Sequence, residues 1–500
     1  MAQPLLEPCG AGIIDAEPCP RVLEREITPG RRRMVLAGCI LASSMVFIDG
    51  TALTVALPKL RAAVGADLAS VQWVVNGYVL ALASLTLIGG ALADAFGKAR
   101  MLSIGCLLFG AASAGCALAP SANWLIAVRV CQGIAAALLT PASLALIGAT
   151  YPKEERNGAI GVWSAASALT TAGGPILGGW LTETFGWQSI FWINPPIALA
   201  TLVLLRAFAP KDQVVPRQLD VVGASIVAAA LGALAWALSE IGSAAGASAM
   251  KTLVLGLAGI GGLVLYVHWE RRSSHPMTPP RLGANRLFVT LNLATLLIYA
   301  GLSITFFLLP FELIDRRGLP STEVGLSFLP FALGVGLLST TFGRLADKVG
   351  AKTMLVFGPL GATCAYAWLA LGRGLSETAG VIAPMGLLGL SFAVLIAPLT
   401  ASVMSSVEKS DEGLASGINN AASRIAQLVG VALAAGLGSI AAGYMFGLAA
   451  AALLSVAGAL TIALRWPQTP PRREPAGEPH DSSAHPQRQP SAGSAAHTAP

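Results

Sequence analysis

Gly90-Ala91-Leu92-Ala93-Asp94-Ala95-Phe96-Gly97-Lys98-Ala99-Arg100 is a short polar break between two long apolar runs, Val71 to Gly89 and Met101 to Leu118. So short a break between such runs reads as a tight loop joining two membrane helices. Gly90 and Gly97 permit backbone angles that other residues resist. Asp94 can cap or pair with a neighbouring helix end, while Lys98 and Arg100 favour the cytoplasmic side. The pattern returns 253 residues later as Gly343-Arg344-Leu345-Ala346-Asp347-Lys348-Val349-Gly350-Ala351-Lys352, and Met101-Leu102 has its counterpart in Met354-Leu355. A single such loop is a weak signal, but two copies with matched flanks mark an internal repeat. A parallel repeat places both copies on one side, so an even number of helices separates them.

The composition agrees. The 500 residues are 54% hydrophobic and 12% charged, with mean hydropathy +0.68, and no soluble domain of normal size fits between the apolar runs. Taking about 20 apolar residues per crossing, the spans are 34–58, 71–91, 101–119, 124–150, 157–181, 189–208, 219–239, 252–269, 287–310, 323–342, 354–372, 379–404, 416–438 and 442–465. Alternate loops differ sharply in basic residues. One set holds Lys59, Arg61, Lys251, Arg316, Arg317 and Arg373; the other, with the tails, holds nearly all the rest. The positive-inside rule therefore places both termini and both repeated turns in the cytoplasm of a cell-membrane protein. The net charge of +6 sits in short loops between apolar segments, which argues against a nucleic-acid partner.

The seven cysteines show no Cys-x-x-Cys, and five lie in apolar runs, as small packing residues do. Residues 1–33 lack an apolar core ahead of Arg31-Arg32-Arg33, so no cleavable signal is expected. Residues 467–500, rich in Pro, Ser, Gln and His, read as a disordered tail, with His480, His485 and His497 too irregular for a metal site.

The doubled turn resembles the signature loop of the major facilitator superfamily, which follows the second helix of each half. Ala95 and Ala99 depart from it, standing where basic residues are usual. The resemblance covers about residues 34–465 and implies an all-α polytopic membrane protein: a six-helix half at 34–210, two inserted helices and a linker at 211–285, and a second six-helix half at 286–466. His275-Pro276-Met277 is similar to the family's central linker.

Asp49 lies inside the first span, in Phe47-Ile48-Asp49-Gly50-Thr51-Ala52-Leu53-Thr54-Val55-Ala56-Leu57-Pro58. A carboxylate among apolar residues is costly and faces a cavity or a partner. Burial favours a protonated carboxyl group and a nearby cation favours the ionised one, and those opposed pulls suit a proton carrier. A buried structural ion pair is the alternative. Arg129, in Arg129-Val130-Cys131-Gln132-Gly133, stays a fixed charge, unless it snorkels from the nearby span end. Asp49 lies about 13 Å and Arg129 about 9 Å below the outer ends of their spans at 1.5 Å per residue, so the two can meet. Both stretches are similar to motifs of the fourteen-helix drug:proton antiporters, which implies proton-coupling or substrate roles for Asp49, Arg129, Thr54 and Gln132, although Thr54 stands where Asn is common; Tyr78, at the start of the second span, is a further candidate substrate contact. Gly174, Pro175, Gly178 and Gly179 permit close packing and a kink. They resemble the fifth-helix motif associated with antiporters, from which Thr170 departs where a Gly is expected. Gln72 to Tyr78 and the group Trp187, Phe191, Trp192, Asn194 and Pro195 read equally as an aromatic belt or as substrate contacts.

Glu240, Glu312, Asp315, Asn419, Asn420, Arg424 and Gln427 are expected mostly at the surface or in packing roles. The combined reading is a monomeric, proton-coupled exporter of amphipathic or cationic small molecules, using the proton gradient and no cofactor, in contact with the lipid bilayer. A nutrient importer is the runner-up. A membrane enzyme is disfavoured because neither a Gly-x-Ser-x-Gly elbow nor His/Glu metal spacing nor a phosphate loop is present.

Overall fold

The computed structural model describes residues 28–210, 220–240, 249–273, 280–408, 412–438 and 442–467. The expectations for the first 27 residues, for the 211–219 loop, for His275-Pro276-Met277 and for the tail from 468 onward lie outside these residues. The described residues up to Trp466 form one compact unit.

The chain runs through α1 (Pro29–Ala63), α2 (Leu68–Phe96), α3 (Lys98–Ala117), α4 (Ala122–Thr150), α5 (Lys153–Phe185), α6 (Ser189–Trp192) and α7 (Asn194–Phe208). It continues through α8 (Val221–Glu240), α9 (Ala249–Arg272), α10 (Pro280–Ala284), α11 (Arg286–Phe311) and α12 (Ser321–Ser327). Last come α13 (Leu329–Val349), α14 (Ala351–Leu371), α15 (Ala383–Ser405), α16 (Glu412–Gly438) and α17 (Gly443–Arg465). Among the described residues 12 helical stretches are long and apolar enough to cross a membrane. The two other expected spans are α5, diluted by glycine, serine and threonine, and α8, whose apolar stretch is Val222–Leu238.

Sequence sets the helix ends locally. Pro29 occupies the first turn of α1, where its missing N–H costs nothing. Asp67 and Asn285 cap α2 and α11, accepting from Ser70 N at 2.8 Å and Phe288 N at 3.0 Å. At the start of α1, Arg31 donates to the carbonyls of Phe208 and Ala209, at 2.7 and 3.0 Å, satisfying the exposed end of α7.

The repeated turns are tighter than their sequence suggested. Helix α2 continues through Gly90 and Asp94 to Phe96, and α13 through Gly343 and Asp347 to Val349. The loop expected over residues 90–100 therefore contracts to one residue per copy, Gly97 at φ 103° and Gly350 at φ 93°. This is left-handed backbone that a side chain resists. Each glycine N–H closes the preceding helix on an equivalent carbonyl, Ala93 or Ala346. Gly90 and Gly343 instead lie against Pro141 and Ala397, so they serve packing rather than turning.

The repeat extends to the packing. In the first half α2 packs on α4, α1 on α5, α3 on α4, and α7 on both α3 and α1; in the second, α13 packs on α15, α11 on α16, α14 on α15, and α17 on both α14 and α11. These are the same pairs in the same order, as a parallel repeat requires. Helices α8 and α9 pair with each other, and α8 leans on α2 and α16. The halves meet through α2 with α16, α5 with α12 and α13, and α1 with α11.

Backbones approach closely where glycine allows it. A Cβ at Gly389 would lie 2.6 Å from Phe331 Cα, whereas one at Gly336 meets open space. Gly389→Val should destabilise the protein by roughly 1–3 kcal/mol through overpacking and lower its unfolding midpoint in detergent, while Gly336→Val should leave that midpoint nearly unchanged.

Candidate functional site

Asp49 and Arg129, on α1 and α4, meet in the interior of the first half, with side chains 0% and 1% exposed. Asp49 Oδ2 accepts from Arg129 Nη1 at 2.5 Å, and Oδ1 accepts from Gln132 Nε2 at 3.0 Å. Arg129 Nη1 also donates to Gln132 Oε1 at 2.7 Å, and Nε donates to the Val74 carbonyl of α2 at 3.0 Å. Cys116 of α3 completes the set with a 3.5 Å contact from Sγ to Gln132 Oε1. The Tyr78 ring covers the guanidinium at 4.1 Å and Phe191 approaches it at 5.8 Å, both within cation–π range. Arg129 is therefore an interior charge rather than a snorkelling one. The network ties together α1, α2, α3 and α4 without using a surface group.

The neighbouring turn of α1 faces the opposite way. Gly50, Thr51 and Thr54 line a 310 Å³ cavity whose wall comes from both halves. Thr54 bonds back to the Thr51 carbonyl at 2.6 Å, so it belongs to the cavity wall and not to the ion-pair network. Tyr78 is the reverse case: it joins the network, and among the described residues its buried hydroxyl has no hydrogen-bond partner.

Gly174, Gly178 and Gly179 are close-approach residues. Gly174 presses on Thr51, Gly178 on Ala52, and Gly179 on Ser321 at the start of α12. In return Gly325 of α12 seats on the Pro175 carbonyl. Helix α5 runs unbroken through Pro175, and the motif forms the crossing of α1, α5 and α12. Polar clasps close the same end of the molecule. Glu183 accepts from Lys59 at 2.6 Å and from the Ser321 N–H of the other half at 2.8 Å, and Arg61 pairs with Asp315 across the halves at 2.8 Å.

Three residues expected in surface or packing roles, Asn420, Arg424 and Gln427 of α16, line the cavity instead. Their spacing of four and three residues was a readable polar stripe on one face of α16. Asn419, one position away, does pack, bonding Thr295 Oγ1 at 2.8 Å. Glu312 is buried and held by Arg373 through two 2.9 Å bonds. Trp187 and Phe191 are buried away from the cavity, and Trp192 is exposed. Lys98 opens α3 directly after the Gly97 turn, with Arg100 two residues on. The side chains of Asp94, Asp347 and Glu240 lie outside the described residues.

The buried pair predicts a specific stability pattern. Arg129→Ala leaves an uncompensated carboxylate and should cost about 3–5 kcal/mol. Removing both charges, as Asp49→Asn with Arg129→Leu, should recover much of that loss. Thermal unfolding of the wild type and these two variants in detergent checks the pattern.

A family model described as Major Facilitator Superfamily matches residues 39–269 and 291–496. The multidrug resistance protein Stp of Mycobacterium tuberculosis is 33% identical over 80% of this chain and 74% of its own length. A lincomycin resistance protein of Streptomyces lincolnensis is 32% identical over 79% of this chain and 82% of its own. The tetracenomycin C resistance and export protein of Streptomyces glaucescens is 30% identical over 81% and 75%. Among solved structures, the inward-facing bacterial homolog of the human lysosomal transporter Spinster superposes with TM-score 0.61 at 17% identity, covering 88% of this chain and 96% of that one. The peptide transporter POT in complex with sulfate gives TM-score 0.63 at 18% identity over 87% and 94%; both likenesses concern the fold. With its doubled turn, its repeated packing and a family match across both halves, this multi-pass membrane chain belongs to the major facilitator superfamily.

Proposed function

We propose that this chain exports small toxic compounds from the cytoplasm by alternating access, driven by protons carried on Asp49. The curated relatives above are named for drug resistance or export, which supports the direction. The observation that carries the coupling is the buried contact of Asp49 with Arg129 and Gln132, one helical turn from a cavity shared by both halves. Protonation of Asp49 cancels its charge, frees the guanidinium and loosens the bonds that hold α1 to α4. The same stretch of α1 carries Thr51 and Ala52, which press on Gly174 and Gly178. A proton at Asp49 thus acts on both the cavity wall and the seam between the halves.

Loop charge sets the orientation: the termini and both turns face the cytoplasm of the plasma membrane. The Lys59–Glu183 and Arg61–Asp315 clasps then close the outer end. The turns around Asp94 and Asp347 would hold the inner end in the opposite state. One chain, with no cofactor besides the proton gradient, is the transporting unit.

In inside-out vesicles, Asp49→Asn should abolish uptake driven by a pH gradient while substrate binding without a gradient persists. Uptake at the wild-type rate by correctly inserted Asp49→Asn protein would sink this mechanism.

A further inference from the structure

The cavity carries a charge that the coupling scheme leaves unused. Among the described residues Arg424 is the only charged side chain in its lining. It is half-buried, and no ion-pair or hydrogen-bond partner is found for it there. Asn420, Ser423 and Gln427 flank it on the same stretch of α16. The same lining holds a chain of aromatic rings packed edge to face: Phe306 on Phe331 at 5.1 Å, Phe331 on Phe392 at 5.7 Å, and Tyr299 on Phe392 at 5.8 Å. Asp49 does not line the cavity, and its charge is already matched by Arg129.

The unbalanced charge facing a ligand is therefore positive. A guanidinium at the edge of an apolar space lacks the counter-charge and acceptors it would have in water, and a planar carboxylate supplies both through two parallel bonds. A cation would lose hydration and meet repulsion, while flat rings fit between the aromatic edges. A volume of 310 Å³ lies at the small end of ordinary ligand sites. We propose that this cavity selects flat aromatic compounds bearing one carboxylate-type anion, held by the Arg424 guanidinium, with the rings seated against Phe306, Phe331 and Phe392. The proposal rests on the export reading for its context, and names the chemical class within it.

Three probes that share one ring system separate the possibilities: 2-naphthoate, 2-naphthamide and 2-naphthylmethylammonium. Binding is measured by equilibrium dialysis on the full chain in zwitterionic lipid nanodiscs, with empty discs as blank and no proton gradient. The wild-type protein should hold naphthoate roughly tenfold or more tighter than naphthamide, the order expected for a charged hydrogen bond, and hold the ammonium weakest. Arg424→Gln should erase the naphthoate advantage while naphthamide affinity stays unchanged, which also shows that the variant folds. Arg424→Lys should keep part of the advantage, having the charge without the fork. The proposal is overturned if wild-type naphthoate binds no tighter than naphthamide, if the ammonium binds best, or if Arg424→Gln leaves the preference intact. Since binding is read without a gradient, loss of the Asp49-dependent efflux result would overturn the export reading alone.

Discussion

A carboxylate and a guanidinium buried together constrain everything else in the first half. Removing two such charges from water costs several kcal/mol each, and the contact is sustained only where the remaining polar atoms are also satisfied. Here both carboxylate oxygens, Nη1 and Nε all have partners, and besides α1 the partners come from α2 and α4. The position of each helix is thereby fixed to within a hydrogen bond. Gly133 shows the consequence for packing. A side chain at that position would collide with the Tyr78 carbonyl, so α2 and α4 must touch backbone to backbone if Arg129 is to reach Val74.

The second half repeats the helix pairing without repeating this chemistry. Its buried acid, Glu312, lies at the closed end and is held by Arg373. Facing the cavity it contributes aromatic rings and Arg424. Two copies of one architecture thus differ: the first half buries a neutralised Asp49–Arg129 ion pair, and the second supplies most of the wall of the shared cavity. Helix α1 joins them. Asp49 points into the first half, while Gly50, Thr51 and Thr54 face the shared cavity and Thr51 also touches Gly174 of α5. The close backbone contacts at that crossing join the stretch of α1 carrying Asp49 to α5.

Much of this was legible in the sequence because it is written in local chemistry. Apolar runs of spanning length, the alternation of basic loops and the doubled turn all act through nearest neighbours and the bilayer, so helix number and parallel repetition follow without tertiary information. Asp49 and Arg129 stood out because a charge in an apolar run demands a partner, and their depths along two helices were enough to bring them together. The tertiary structure alone decided which face each residue presents. Nothing local separates Gly90, which packs on Pro141, from Gly97, which turns the chain, because a glycine's use depends on what approaches it. For the same reason Thr54 belonged with the cavity and Tyr78 with the ion pair, and the polar stripe of α16 met an aromatic wall supplied by helices distant in sequence. Helix rotation and the meeting of the two halves are set by packing across the whole unit, and no stretch of sequence carries them by itself.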